Sequence, residues 1–180
     1  RQLHIPQLHV ADLTVEDRRP ASNDPLPELV LPLQVDIGLV VDRLHWAGPP
    51  ALQVTGIRAQ YVHDGTQHLL RVDSAQVAQG RYQGQASLLA RAPMTLVLQA
   101  QGRVQVPLGT AQMPLDARAS LRGPLASRQA TLQLEADLQP APGNAGSAAQ
   151  AMRAHVTAQL RPWAAQPIVE AQARVQQLNV

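Results

Sequence analysis

The chain has 180 residues and is 45% hydrophobic but only 2% aromatic, with no Phe, and its formal net charge of +2 rests on Arg alone among the strong bases. The absence of Cys excludes disulfides and thiolate metal sites, and singly placed Arg without stacking rings beside them argue against nucleic-acid tracking. No apolar run approaches the ~20 residues of a membrane-spanning helix, and the length suits one domain over 1–180.

In chain order, Leu8–Val10 and Leu13–Val15 read as short strands, with a phase change at Ala11-Asp12 that suggests a bulge. Glu16–Glu28 is charged and carries Pro20, Pro25 and Pro27, so it reads as a loop. From Leu29 to Trp46 the chain alternates strictly, with Leu31, Leu33, Val35, Ile37, Leu39 and Val41 on every second position. Such alternation describes a strand with one apolar and one wet face. Gly48-Pro49-Pro50 ends the run. A strand kinked at Thr55-Gly56 follows, carrying Leu52, Val54, Ile57, Ala59 and Tyr61.

Asp64-Gly65 is the clearest hairpin signal, because Gly tolerates the positive φ that tight turns require. Strands are expected over Leu69–Val77 and Arg81–Leu89, broken by Gly80, and over Met94–Val106 with Leu96 and Leu98. Met113–Leu121 with Leu115 and Ala130–Leu138 with Leu132, Leu134 and Leu138 come next. Pro140–Ala149 has the composition of a flexible loop. Helical spacing occurs at Ala145–Ala154, with loop as the competing reading. Met152–Leu160, including Val156 and Leu160, and Ile168–Val180 complete roughly ten strands, an all-β organisation.

A ring-poor face of Leu, Val and Ala fills a compact core badly. The expectation is an open, elongated, mostly antiparallel sheet rather than a closed sandwich, with Ala117, Ala119, Ala154, Ala158, Ala171 and Ala173 on its apolar beats. The chain begins and ends in mid-pattern, as a segment of a longer repetitive protein would. Ile168–Val180 has no Pro or Lys to defend an edge, so edge-to-edge self-association is expected.

Chemistry-bearing constellations are sparse. His63 and His68 flank the Asp64-Gly65 turn, but without a third ligand they read as polar-face residues beside a turn, whose replacement by Ala is expected to be silent. Asp36, Asp42, Asp73, Asp116 and Asp137 fall on polar beats and read as solvated spacers. No Ser sits in a nucleophile elbow and no Gly-rich loop cradles phosphate. The chain therefore reads as a non-enzyme without metal or cofactor. Trp163, between Pro162 and Pro167, reads as a plug at the end of the sheet.

Three phrases carry a family resemblance. The Pro-rich loop leading into Leu29-Val30-Leu31-Pro32-Leu33-Gln34-Val35, the stretch His63–Gly84, and the tail Leu160-Arg161-Pro162-Trp163-Ala164-Ala165-Gln166-Pro167-Ile168, closing in Leu178-Asn179-Val180, resemble the TamB family of AsmA-like proteins. Asn179 stands where the family pattern has Asp. The resemblance implies a sheet folded lengthwise with an aliphatic concave face, a β-taco, in a periplasmic segment of a protein anchored to the inner membrane elsewhere. It further implies phospholipid transport between the membranes and outer-membrane biogenesis, or alternatively a chaperone scaffold for outer-membrane β-barrel proteins. A TamA-like outer-membrane partner would engage other parts of such a protein.

Phospholipid acyl chains are the expected ligand. The expected groove lining is Leu31, Leu33, Val35, Ile37, Leu39, Val41, Leu52, Val54, Leu96, Leu98, Leu115, Leu132, Leu134, Leu138, Val156 and Leu160.

Overall fold

In a computed structural model of the chain, the described residues are 1–16, 24–25, 27–48, 51–108, 111–142, 153–164 and 168–176. The middle of the Glu16–Glu28 loop, most of Pro140–Ala149, the candidate helix as far as Met152, and Leu178–Val180 lie outside them. The strands are β1 Gln2–Val15, β2 Gln34–Trp46, β3 Leu52–His63, β4 Gln67–Val77, β5 Gly80–Leu89, β6 Leu96–Leu108, β7 Ala111–Gly123, β8 Leu132–Pro140, β9 Arg153–Leu160 and β10 Ile168–Gln176. They form one unclosed sheet in sequence order, and no helix occurs among the described residues. Every neighbouring pair is antiparallel except β1 and β2, which run parallel.

A parallel neighbour cannot be reached by a tight turn. The connection after Val15 therefore travels the length of the strands to re-enter at Gln34, and its path constrains the sheet. Asp24 pairs with Arg128 in the β7–β8 connection, Glu28 bridges to Arg91, and Leu29 N–H donates to the Ala90 carbonyl at 2.8 Å. Eight residues separate Glu16 from Asp24, a span of at most about 29 Å. On a flat sheet the end of β1 and the opposite end of β7 would lie roughly 50 Å apart, more than the Arg128 side chain can make up. The sheet is therefore twisted and curved.

The strands largely follow the expected alternation, with corrections at their ends. β1 is continuous from Gln2, with its register shift between Ile5 and Leu8. β2 begins at Gln34, not Leu29, so Leu31 and Leu33 precede the sheet; Pro32, which has no N–H to donate, sits in the approach. The β4–β5 turn is at Ala78-Gln79 rather than at Gly80, with Ala78 in the left-handed region at φ 49°. β6 starts at Leu96, after a cis Ala92-Pro93 bond and a buried Met94. β8 runs from Leu132 to Pro140, both ends lying two residues later than in the expected strand.

Burial concentrates along the two rims where strands turn. Ala90, Met94, Ala130 and Leu132 are buried at the rim holding Gln34 and His63, while Met113, Leu115 and Ala141 are buried toward the other. Leu115, only 1% exposed, is the most deeply buried leucine among the described residues. Leu115→Ala is expected to cost roughly 2–4 kcal/mol in urea unfolding, whereas Leu69→Ala, at a half-open position on the other face, should stay within about 0.5 kcal/mol.

Candidate functional site

Directly paired residues on adjacent strands point to the same face. Following the pairs across the sheet gives continuous apolar rows. One runs Ile5, Ile37, Tyr61, Leu70, Ala86, Leu98, Leu121, Leu134, Ala158, Ala171. The next runs Leu8, Leu39, Ala59, Val72, Gly84, Ala100, Ala119, Ala136, Val156, Ala173. From β3 onward this second row is mostly Ala and Gly, and the row on one side of it carries Leu70, Leu98, Leu121 and Leu134. The small-residue row is therefore a low floor with Leu along one side.

Toward the other rim, Leu13, Leu44, Val54, Val77, Gly80, Val104 and Leu115 form a further row. Val41 and Leu44 both join the apolar face although three residues apart, so the phase slips between them. Gly56 lies opposite this slip at φ 60°, a conformation that favours Gly. Tyr82 lies on the same face over Gly80 and Gly102; a Cβ at either glycine would collide with its ring.

Of the sixteen expected lining positions, the fourteen from Val35 onward lie within the strands on this face, Val41 and Leu138 in a row between the small-residue row and the Leu13–Leu115 row, while Leu31 and Leu33 lie outside the strands. Residues of the central rows are half-buried or buried from Ile37 to Val156, save Leu70 at 38% exposed, although among the described residues no second sheet covers them.

The opposite face is polar, and its carboxylates are partnered rather than simply solvated. Asp36 accepts from His4 at 3.1 Å and from Gln60 at 3.0 Å, and Asp42 lies 3.0 Å from His9. Asp116 accepts from Arg103 at 2.8 Å and Asp137 lies 2.7 Å from His155. Asp73 instead meets Arg71 of its own strand. Arg43 holds Asp12 with two hydrogen bonds, at 2.6 and 2.8 Å. That pairing draws the Asp12 carboxyl below its ordinary range and raises the Arg43 guanidinium. Exposed pairs add little stability individually, but the three between β1 and β2 fix a parallel edge strand in one register. An open cleft of 540 Å³ between Arg71, Gln85, Gln99, Arg118 and Glu135 also lies on this face, lined by groups that suit water rather than hydrocarbon.

His63 and His68 do come together, with ring centroids 4.3 Å apart. They lie on the apolar face, at 0% and 7% exposure, not on the polar one, because their partners in the rows are Val35 and Leu88. Their reading as polar-face residues beside a turn is overturned by this burial. His68 Nε2 donates to the Leu29 carbonyl at 2.7 Å, and its Nδ1 lies 2.7 Å from the Tyr61 hydroxyl. Partial burial raises the Tyr61 phenol above its ordinary value, keeping it a donor. His63 Nδ1 donates to the Gln67 carbonyl, and its buried Nε2 has no protein partner.

The Asp64 carboxylate closes the adjoining turn through the Thr66 hydroxyl and the Thr66 and Gln67 N–H groups, which hold it far below the ordinary carboxylate range. Further along the rim, Leu125 and Ala126 N–H donate to the Pro93 carbonyl, and Trp163 Nε1 donates to the Leu125 carbonyl at 2.8 Å. Trp163 is thus tied to the sheet end it was expected to plug.

Sequence reasoning missed this rim lacing. Its one visible signal was the pair of His set among aliphatic beats. Comparison with protein-family models, with curated proteins and with solved structures finds no match.

Two outcomes follow. His68→Phe keeps the ring but strands the Leu29 carbonyl and the Tyr61 hydroxyl, which should cost about 1–3 kcal/mol in denaturant unfolding. Asp64→Ala should lower the thermal midpoint at neutral pH. Because the folded-state value is depressed, the Asp64 contribution is present above the ordinary carboxylate range and is lost only as pH falls through the depressed value. Wild type and variant should therefore converge only in strong acid.

Proposed function

We propose that the apolar face is a lipid-binding trough, and that the chain serves without catalysis as a segment of a hydrophobic path for phospholipid acyl chains in a TamB-like protein of the periplasm. The observation that carries this reading is the set of apolar rows running in register across the sheet with, among the described residues, no second layer over them. The small-residue floor from Ala59 on β3 to Ala173 on β10 crosses seven strand spacings, about 34 Å in length. One leaflet's acyl chain occupies about half of a ~30 Å hydrocarbon core, so two chains fit along it end to end. Each buried CH₂ contributes about 0.8 kcal/mol, and an aliphatic lining needs no directional contacts to hold such a ligand. The chaperone alternative would offer the strand edges or the groove to unfolded β-barrel strands.

The experiment is mass spectrometry of the organic extract of purified protein. The wild-type chain should carry co-purified phospholipid. Leu98→Asp and Leu134→Asp, at half-buried wall positions, should lose it while keeping the β-sheet circular-dichroism spectrum, because a charge is costly against hydrocarbon. Leu69→Asp, on the polar face, should retain it. Lipid-free wild-type protein, or undiminished lipid in both wall variants, would defeat the proposal.

A further inference from the structure

We infer that the outer edge of β10 is a self-pairing surface, on which two copies of this chain join by antiparallel β10–β10 pairing centred on Gln172. β10 pairs only with β9 among the described residues, and all nine of its residues are exposed, Val175 at 65%. A row of backbone donors and acceptors in that state is a template for another strand.

The occupant is specified by the order of side chains on the edge. With Gln172 opposite Gln172 of a second copy, antiparallel geometry sets Glu170 opposite Arg174 twice, on the polar face. On the apolar face it sets Ala171 opposite Ala173 twice. Opposite charges directly across a pair stabilise it and like charges oppose it. Centring on Gly-free neighbours does not reproduce this match: on Ala171 or Ala173 both charges face uncharged residues, and on Glu170 or Arg174 a charge meets itself. A shift by half a residue pair would bring polar side chains to the apolar face. Parallel pairing in equal register would set Glu against Glu and Arg against Arg.

The other edge lacks such a fit. Pro6 removes a donor near the middle of β1, and the register shift between Ile5 and Leu8 falls at the same place. Pairing β10 with itself is isologous, so it closes at two copies instead of growing into a fibre. Because paired residues share a face, the two apolar faces would lie on the same side of one longer sheet. This inference rests on the edge alone and stands whether or not the trough binds lipid.

Sedimentation velocity on the full 180-residue chain over a concentration series tests it, with circular dichroism as the control for fold. Wild type should dimerise. Glu170→Arg and Arg174→Glu should each weaken the dimer by at least about tenfold, and the two together should restore it, since the charges are only exchanged. Gln172→Cys, in a chain with no other Cys, should form an intermolecular disulfide on mild oxidation. A wild type that stays monomeric throughout, single variants that dimerise as wild type does, or a double variant that fails to recover would each overturn the inference.

Discussion

Everything in this molecule depends on the rule that cross-strand partners share a face. Ten strands paired in register turn a two-residue sequence beat into two opposed surfaces, one apolar and one polar, each continuous across the sheet. A sandwich would satisfy the apolar surface with a second sheet. Among the described residues none is present, and the most deeply buried side chains sit along the rims. The ring-poor composition fits this arrangement, since the floor row is low only because Ala and Gly occupy it.

The rim holding Gln34 and His63 works as a laced border. Its links pass from the Tyr61–His68 pair to Leu29, from Leu29 to Ala90, from Pro93 to Leu125, and from Leu125 to Trp163. Each joins connections that are far apart in sequence, so the border stiffens a sheet whose strands otherwise contact mainly their immediate neighbours. The polar face adds a second device, charged pairs that set register, most evidently for the parallel strand β1. Its clefts are lined by amides and charges, which separates a wet side from the side proposed to hold acyl chains.

The sheet itself was legible in the sequence because alternation is a local property. Val35 to Val41, Leu96 to Ala100 and Leu132 to Leu138 each announce their face without reference to any other strand, and Asp64-Gly65 announces its turn. What was not legible depends on contacts at long range. Leu31 and Leu33 keep the alternating beat, yet the chain there is committed to the rim through Leu29 and cannot pair as strand. His63 and His68 look polar in isolation, and only the register that sets them beside Val35 and Leu88 shows that they are buried. The parallel placement of β1 was likewise invisible, because Gln2–Val15 carries the same pattern whichever direction its neighbour runs. Asp36 and Asp137 were read as spacers for the same reason: their partners, His4 and His155, lie on other strands.

The central claim is that one face of this sheet is a trough for hydrocarbon and the other is not, and two adjacent residues can test it. Ala119 belongs to the floor row, and Ser120 points to the opposite face. With no native Cys to interfere, each can be replaced singly by Cys and labelled with a polarity-sensitive fluorophore. On titration with a monomeric lysophospholipid, the label at position 119 should shift to shorter wavelength and saturate, while the label at position 120 should not move. Equal shifts at both positions, or none at 119, would contradict the account.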